Sequence, residues 1–363
     1  MTPWPQHARV LITGGAGFIG SHLAERLLAL GRQVTVLDDL STGSLDNLGA
    51  VAGHSGFVFI HGSVLDAPLV EALVEESRLV MHLAAAVGVR YILEHPLESI
   101  KTNVDGTDIL LAACARAGRK VMVASTSEVY GKNTADLLCE TSDSVLGPSV
   151  VSRWSYATAK KLDEFLALGY AHQYGLPVVI TRFFNIVGPR QAGRYGMVLP
   201  NFIRAALRNE PIRVFGDGRQ SRNFTFIHDC IEALLLLLST AEAEGQVFNI
   251  GGREEISILD LAERVKRLTA SASPIVRVPY QVAYPEGGFE DMRRRVPCLC
   301  RIGRFTGWAP STPIDDMIEQ TVCYERWCAA NLAPVPSAAI PSHQPATAPV
   351  QTPLTLSTAR DFS

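Results

Sequence analysis

The 363-residue sequence lacks the features that mark several classes of protein. Lys plus Arg (33) and Asp plus Glu (36) nearly balance, with a formal net charge of -3, so there is no basic excess to bind nucleic acid or an anionic membrane. The most apolar run, residues 233–238, is far shorter than the roughly 20 residues that a membrane span needs. We therefore expect neither nucleic acid nor a membrane among the partners.

The cysteine pattern argues against disulfides and metal sites. The seven cysteines are an odd number and form no CxxC pair, and no clustered histidines complete a zinc-ligand set. Reduced thiols in a protein without a metal are the simpler interpretation. Residues 1–6 show no basic-then-apolar stretch, so no secretory signal is predicted and we expect a cytoplasmic location.

Short β-branched runs alternate with amphipathic stretches from the first strand onward. The predicted strands are residues 9–13, 33–37, 57–60, 79–83, 120–124 and 177–182, and the predicted helices are 20–30, 68–76, 103–117 and 154–174. This alternation is typical of βαβ units. We predict an α/β fold, a Rossmann-like, doubly wound parallel sheet with a smaller C-terminal substrate-binding lobe.

A glycine-rich turn follows the first predicted strand. Gly14, Gly17 and Gly20 form a GxxGxxG pattern that opens a helix, with Phe18 and Ile19 at the helix start. Glycine lets the backbone turn sharply and approach a pyrophosphate, which a helix N-terminus attracts through its N–H groups and dipole. The strand before the turn and the helix after it favour a dinucleotide site over a purely connecting loop.

Two acidic residues complete the predicted cofactor site. Asp38 ends the second strand. Its separation from Gly20 is close to the roughly 20 residues after which a carboxylate accepts the ribose hydroxyls of NAD in dinucleotide-binding folds. A carboxylate there would repel a 2′-phosphate, so NAD is favoured over NADP. Asp66, after the third strand, is a candidate for holding the adenine amino group. For Asp38 and Asp66 alike, the alternative is a carboxylate that lies in a turn and binds no ligand.

Composition divides the chain into three parts. We assign residues 1–185 to an NAD-binding Rossmann domain, to which a strand near 246–250 returns, and residues 186–329 mainly to a substrate-binding lobe. Residues 330–363 hold six of the 21 prolines and only one Arg and one Asp. Such a segment cannot bury enough apolar surface to offset its ordering entropy, so a disordered tail is predicted.

Tyr156 and Lys160 lie four residues apart in a predicted helix and therefore share one face. A phenol is a poor base at neutral pH, but a neighbouring ammonium would lower its pKa. The pair could thus move a hydroxyl proton during hydride transfer. Thr126, close after the strand at 120–124, could donate to the same substrate oxygen.

Together these motifs resemble those of the extended short-chain dehydrogenase/reductases, which are NAD-dependent nucleotide-sugar epimerases, dehydratases and decarboxylases. The family's order is kept over roughly residues 8–328: the three glycines, Asp38, residues 125–131 (STSEVYG), Tyr156-x-x-x-Lys160 and residues 183–190 (FFNIVGPR). The resemblance implies that Tyr156 takes the proton of a sugar 4-hydroxyl while NAD accepts hydride from C4 and later returns it.

The resemblance also implies roles for individual residues. Thr126 would polarise the reacting oxygen, while Tyr156 and Lys160 would contact both the sugar and NAD. Asn185 would touch the sugar or its phosphate, and Arg222 would bind the diphosphate, a solvated surface arginine being the alternative. The further candidates for substrate binding are Arg90, Arg190 and Arg295.

Residues 127 and 128 bear on the type of reaction. Dehydratases of the family carry Asp-Glu there, and Ser127 cannot protonate a departing hydroxyl, so a 4,6-dehydratase is disfavoured. The triplet Thr126-Ser127-Glu128 is similar to that of the UDP-glucuronate decarboxylases. Residues 290–297 resemble their late Arg-x-Pro segment, with Arg295 matching the arginine near the substrate; charged surface arginines are the alternative.

The loop at 84–91 (AAAVGVRY) favours a different reaction. It is similar to the loop of 4-epimerases and lacks the proline-rich version of the decarboxylases. Because this loop borders the sugar, we predict an NAD-dependent nucleotide-sugar epimerase working through a transient keto sugar, with Glu128 as a second base. UDP-glucuronate decarboxylase is the alternative, ahead of a dehydratase or an inactive nucleotide-sugar binder.

A homodimer is also expected. The helix that carries Tyr156 and the helix predicted at 103–117 resemble the pair that forms the family's four-helix dimer bundle. The predicted partners are therefore a nucleotide-diphosphate sugar and a second copy of the chain.

Overall fold

A seven-stranded parallel sheet forms the centre of the computed structural model, which describes residues 8–86, 95–193, 197–283 and 292–331. Its strands are β1 (Arg9–Thr13), β2 (Gln33–Asp38), β3 (Phe57–His61), β4 (Leu79–His82), β5 (Lys120–Thr126), β6 (Val178–Phe183) and β11 (Gln246–Ile250). They lie in the order β11-β6-β5-β4-β1-β2-β3, and every neighbouring pair is parallel. The predicted Rossmann-like fold is confirmed.

Helices cover both faces of this sheet, because successive residues of a strand point to opposite sides. The α-helices of the described residues are α1 (Phe18–Ala29), α2 (Ala67–Glu75), α3 (Pro96–Ala117), α4 (Trp154–Tyr174), α5 (Val198–Leu207), α6 (Ile227–Ser239), α7 (Ile258–Thr269), α8 (Tyr280–Ala283), α9 (Cys300–Thr306) and α10 (Ile314–Asn331). In β1, Val10 and Ile12 join the core that includes α1 and α6, whereas Leu11 joins the core that includes α2, α3 and α4. The sheet is buried on both faces and presents its carboxyl ends to a ligand.

Local sequence signals set where the central helices begin and end. Gly118 and Gly175 adopt the left-handed conformation directly after α3 and α4, with φ angles of 62° and 66°. Asp66 caps α2, its carboxylate accepting a hydrogen bond from Leu69 N at 3.2 Å. Helix α4 occupies the residues predicted for it and carries both Tyr156 and Lys160.

The remaining strands are short and lie outside the main sheet. They are β7 (Ile186–Val187), β8 (Ile212–Phe215), β9 (Ser221–Asn223), β10 (Thr225–Phe226), β12 (Glu255–Ser257), β13 (Ile275–Val278) and β14 (Arg294–Arg295). Strand β9 pairs with β12 and β14, which makes Arg222 and Arg295 partners in register. The substrate lobe at 186–329 stays a prediction. Of the predicted tail, residues 330–331 end α10 and residues 332–363 lie outside the described residues.

The described residues contain neither a candidate membrane span nor a candidate metal site. Among them, no helix combines the length and the apolar stretch that a bilayer crossing requires. In the same ranges, His, Cys, Asp and Glu form no group of three or more that could hold a metal ion. The cysteines are free thiols.

Candidate active site

The carboxyl ends of the parallel strands open into one large cavity of about 1020 Å³. Parallel strands end at a common edge of the sheet, so residues far apart in sequence meet there. The cavity is lined by most of the residues that the sequence singles out: Gly14, Gly17, Phe18, Ile19, Gly20, Asp38, Thr126, Ser127, Glu128, Tyr156, Lys160, Asn185, Arg190, Arg222 and Arg295. The structure therefore brings the glycine-rich turn and the Tyr156 region into one site.

The glycine-rich turn is packed too closely for any side chain. Gly14 has a φ angle of 71°, and its N–H donates to Leu37 O at 2.9 Å. A Cβ on Gly14 would lie 2.6 Å from Ala84 N, and one on Gly20 would lie 2.5 Å from Gly14 O. This packing brings the N-terminus of α1 to the cavity wall. A bare backbone cradle at a helix N-terminus fits the pyrophosphate of a dinucleotide.

Asp38 lies beside this turn at the end of β2. Its carboxylate accepts hydrogen bonds from Ala16 N at 2.9 Å and from Leu40 N at 2.8 Å. Burial raises the pKa of Asp38, and the two backbone donors oppose that rise. Each carboxylate oxygen can accept more than one hydrogen bond, so the backbone can hold the group while it also receives ribose hydroxyls.

Asp66 caps a helix, and its contact with the adenine amino group stays a prediction. Its carboxylate caps α2, and Asp66 is not among the residues that line the cavity. Gly62 and Val64 form the wall in this part of the chain. Unpaired N–H groups at the start of a helix bind a carboxylate directly before it, a role the sequence analysis did not consider.

The ammonium of Lys160 forms a buried ion pair. Its Nζ donates to Asp163 Oδ2 at 3.0 Å, and the two side chains are 2% and 0% exposed. Burial raises the pKa of Tyr156 above its ordinary value, and the negative charges of Glu128 and Asp163 raise it further. Burial and these two carboxylates therefore outweigh the predicted lowering of this pKa by Lys160.

Glu128 is held between two arginines. Its Oε2 accepts a hydrogen bond from Arg153 Nη2 at 3.0 Å, and its Oε1 accepts one from Arg295 Nη1. Arg295 Nη1 also donates to Ser127 Oγ at 3.2 Å. The Glu128 N–H donates to Thr126 Oγ at 3.2 Å. The turn after β5 is thus joined to β14 and to the start of α4 through one cluster of charges.

This cluster fixes the ionisation of Glu128. Burial by itself favours the neutral acid, but the charges of Arg295 and Arg153 outweigh it and hold the pKa of Glu128 at about 2. Glu128 is therefore a carboxylate near neutral pH. A carboxylate whose conjugate acid is this strong is a weak base, which counts against the predicted role of Glu128 as a second base.

The candidates for substrate binding have defined partners where the structure describes them. Asn185, with a φ angle of 41°, donates from Nδ2 to Asn223 O at 2.8 Å. Arg222 is buried and donates to Ser221 O at 2.7 Å. The remaining two are Arg190, which forms an ion pair with Glu25 at 2.5 Å, and Arg90, which lies outside the described residues.

Sequence reasoning missed Arg153 and Asp163. Arg153 precedes Tyr156 by three residues and Asp163 follows Lys160 by three, a spacing that places side chains on one helical face. That spacing was the available signal. It does not say which of the adjacent carboxylates faces Lys160, and the fold decides this because Glu164 pairs with Arg182 of β6 at 2.7 Å.

A parallel sheet with a glycine cradle after β1 and a Tyr-x-x-x-Lys helix at the same edge defines a dinucleotide-dependent enzyme of the extended short-chain dehydrogenase/reductase class. A sequence model of the NAD-dependent epimerase/dehydratase family matches residues 10–251, more than half of the chain. The chain belongs to this family, and NAD is its cofactor.

Relatives of known name narrow the class of reaction. UDP-N-acetyl-α-D-glucosaminuronate decarboxylase of Bacillus cytotoxicus is 42% identical over 319 residues, which are 88% of this chain and 98% of that protein. UDP-glucuronic acid decarboxylase 1 of Xenopus tropicalis is 33% identical over 318 residues, 88% of this chain and 72% of that protein. Among solved structures, UDP-glucuronic acid 4-epimerase of Bacillus cereus, in complex with UDP-glucuronic acid and NAD, superposes with a TM-score of 0.80 at 28% identity, covering 88% and 99% of the two chains.

These comparisons overturn the prediction of a nucleotide-sugar epimerase. Over the aligned residues, the two decarboxylases are 42% and 33% identical to this chain, against 28% for the epimerase. The error lay in the weight given to two segments. The triplet 126–128 and Arg295, to which we gave less weight, form a connected cluster in the cavity, whereas residues 87–91 of the favoured loop lie outside the described residues.

The substitution Gly20→Ala should destabilise the fold and abolish NAD binding. The added Cβ would lie 2.5 Å from Gly14 O and 2.6 Å from Gly15 Cα, which are backbone atoms of the cradle itself. We expect the free energy of unfolding in urea to fall by about 1–3 kcal/mol and calorimetric titration to show no NAD binding. The matched control is Gly169→Ala in α4, where the new Cβ meets nothing within 4 Å. Wild-type NAD affinity in Gly20→Ala would contradict the conclusion that the glycine-rich turn binds NAD.

Replacing Glu128 by Gln should remove a pH-dependent part of the stability. A carboxyl with a depressed pKa stabilises the fold above its ordinary value of 4.5, and this stabilisation is lost as the pH falls toward about 2. At neutral pH we expect Glu128→Gln to lower the free energy of unfolding by about 2–3 kcal/mol. The difference from wild type should narrow below about pH 4.5.

Urea unfolding of both proteins over a series of pH values measures this difference. Glu71→Gln, which breaks the exposed ion pair with Arg116, is the control and should cost less than about 1 kcal/mol. A difference for Glu128→Gln that stays constant down to pH 2 would show that the cluster does not hold the carboxyl ionised.

Proposed function

We propose that the protein is an NAD-dependent decarboxylase of UDP-hexuronates, which oxidises the sugar at C4 and releases C6 as carbon dioxide. The observation that carries the proposal is the contact of Glu128 with Arg295 and Arg153 in the cavity, within a triplet similar to that of the UDP-glucuronate decarboxylases. The identity to two named decarboxylases, 42% and 33%, supports it.

The charges of the site suit a substrate with a carboxylate and a diphosphate. Arg153, Arg222 and Arg295 are 8%, 6% and 7% exposed, and they line the cavity together with the carboxylate of Glu128. Positive charge is thus in excess, in surroundings where Coulomb attraction is stronger than in bulk water. A guanidinium can pair two oxygens of a carboxylate or a phosphate, so these arginines can bind both anionic groups of a UDP-hexuronate.

The proposed chemistry begins at the C4 hydroxyl. When bound, NAD supplies the acceptor, and later the donor, of hydride at C4. Tyr156 takes the hydroxyl proton, and Thr126 donates a hydrogen bond to the same oxygen. The raised pKa keeps Tyr156 protonated in the free protein. For the reaction, the phenol proton passes to solvent when substrate and NAD bind, and the phenolate, with Lys160 as the cation on the same helix, then takes the C4 hydroxyl proton.

Oxidation at C4 prepares the loss of carbon dioxide. The C4 ketone turns the C6 carboxylate into that of a β-keto acid. The C5–C6 bond then breaks, carbon dioxide leaves, and the bonding electron pair passes to the C4 oxygen as an enolate. Protonation at C5, return of hydride to C4 and return of the proton from Tyr156 to O4 yield a UDP-pentose. In this scheme Glu128 positions Arg153 and Arg295 and exchanges no proton.

The residues proposed to hold NAD line the cavity at the glycine-rich turn and at the end of β2. Gly14, Gly17 and Gly20, with Phe18 and Ile19 at the start of α1, would receive the pyrophosphate. Asp38 would accept the adenosine ribose hydroxyls.

Incubation with NAD and either UDP-glucuronate or UDP-N-acetylglucosaminuronate tests the proposal. We expect one of the two to lose the mass of carbon dioxide and to give the matching UDP-pentose, measured by mass spectrometry, with no net reduction of NAD. Tyr156→Phe should lower kcat by about 10²–10⁴-fold because the proton acceptor is gone, while NAD still binds.

The matched control is Tyr170→Phe on the same helix, whose hydroxyl bonds to Asp108 at 3.0 Å outside the cavity lining. It should retain activity. A product of unchanged mass and altered stereochemistry from both substrates would refute decarboxylation, and full activity in Tyr156→Phe would refute the proposed base.

We further propose that the protein is a homodimer built on α3 and α4. These helices pack against each other and leave large apolar side chains exposed, namely Leu97 (75%) and Ile100 (38%) on α3 and Leu162 (44%) and Phe165 (64%) on α4. A second copy presenting the same face would bury them through a symmetric contact.

The substitution Phe165→Glu should therefore convert the dimer to a monomer, because a carboxylate would be desolvated at the centre of the contact. Light scattering coupled to size-exclusion chromatography gives the mass. Trp327→Glu, at another exposed aromatic residue, on α10, is the control and should leave the dimer intact. A monomeric wild type would contradict the proposal.

A further inference from the structure

Asp163 is a buried carboxylate bonded to the amine that the proposed chemistry needs. Lys160 Nζ and Asp163 Oδ2 are 3.0 Å apart, and neither side chain is exposed by more than 2%. Replacing a buried ion pair by apolar groups is often neutral or stabilising, so such a pair is weak evidence for a role in stability. Its place on the helix of Tyr156 connects it with the site instead.

Neutral groups adjoin the pair on the side of β1, β4 and α3. The two ring nitrogens of His82 lie 3.0 Å from Thr107 Oγ and 2.8 Å from Thr13 Oγ. Burial and the positive charge of Lys160 lower the pKa of His82 to about 3, so its ring is neutral. Burial raises the pKa of Asp163, and the ammonium of Lys160 and the hydroxyl of Thr107 oppose that rise. Asp163 Oδ1 makes no hydrogen bond of good geometry. His82 therefore adds no charge beside Lys160.

The ionisable groups around the pair are Tyr156, Lys161 and Glu164 on α4, His82 on β4, Arg182 on β6 and Glu128 after β5. Glu164 is bonded to Arg182 at 2.7 Å, and Glu128 is bonded to two arginines. Asp163 is thus the carboxylate that compensates Lys160. Without it the amine would be a buried cation beside a neutral imidazole, which favours the uncharged amine.

We propose that Asp163 is a positioning residue of the reaction, which keeps the amine of Lys160 charged and fixes it on the helix that carries Tyr156. The inference rests on the proposed function, in which Lys160 is the cation that favours the phenolate of Tyr156. Asp163 is not among the described residues that line the cavity, so it would act through Lys160.

In Asp163→Asn, two effects move the pH dependence of kcat in the same direction. Lys160 loses its counter-charge and gives up its proton at a lower pH, and Tyr156 loses a negative charge that raises its pKa. Both limbs of the profile should move to lower pH, the alkaline limb by about one to three pH units. At a fixed alkaline pH above the new limb, kcat should fall by about tenfold or more.

A chemical measurement without substrate tests the charge of Lys160 directly. Lys160 lines the cavity of about 1020 Å³, through which a small amine-acylating reagent can approach the 2% of its side chain that is exposed. Its acylation rate against pH, followed by peptide mass spectrometry, reports the fraction of free amine. The rise of this rate should move to lower pH by about one to three units in Asp163→Asn and stay near wild type in Asp163→Glu, which keeps the charge.

Asp105→Asn, the same change at an exposed position of α3, is the matched control and should leave the labelling profile unchanged. Asp163→Ser, also uncharged, takes the place of Asp163→Asn if the latter does not fold by circular dichroism. An unshifted profile in the uncharged variant overturns the inference, and so does an equal shift in Asp163→Glu. Failure of the wild type to release carbon dioxide would overturn the proposed function alone, because the labelling needs no substrate.

Discussion

The parallel pairing of the central strands decides where every group of the site stands. Strands β1, β2, β4, β5 and β6 run in one direction, so Thr13, Asp38, His82, Thr126 and Phe183 all end at one edge of the sheet. Close packing of the glycine turn against Ala84 and of helices on both faces leaves these strand ends little freedom to shift. The cavity is therefore a consequence of strand direction, and its chemistry depends on which residue each strand carries at its end.

Charge in this cavity is organised in two compensated groups. Lys160 and Asp163 form one, and Glu128 with Arg153 and Arg295 forms the other. In each group, the contact between opposite charges offsets part of the desolvation cost of its members. The first is neutral overall and lies on the helix that carries Tyr156. The second carries excess positive charge and suits the anionic groups of the substrate.

Much of the fold and part of the site follow from local sequence. Helix α4 and the glycine turn are predicted correctly because periodicity, Gly175 and the GxxGxxG spacing act over a few residues. Asp66 has a capping role that the local sequence also offers, and its contact with adenine stays a prediction. The raised pKa of Tyr156 could not be predicted because it depends on burial and on the charges of Glu128 and Asp163, which only tertiary packing fixes.

The type of reaction was also hard to predict, because it depends on a tertiary contact that the local sequence does not show. Glu128 and Arg295 are distant in sequence, and nothing in either segment alone says that they are bonded. The pairing of β9 with β14 creates that contact, and with it the weight that the triplet at 126–128 deserved. The loop at 84–91 resembles that of the epimerases, whereas the Glu128–Arg295 contact and the relatives give more weight to the triplet.

The neighbouring positions of β6 and β11 bring two distant segments of the chain to one wall of the cavity. The chain leaves the sheet after Phe183 and re-enters it at β11, which is paired with β6 as far as Ile250. The segments that carry Arg222 and Arg295 both depart from this strand pair, and they are joined to each other by β9 and β14. Two arginines that are far apart in the sequence therefore lie side by side on one small sheet, and both line the cavity. A substitution that displaces one of these two strands should displace both arginines.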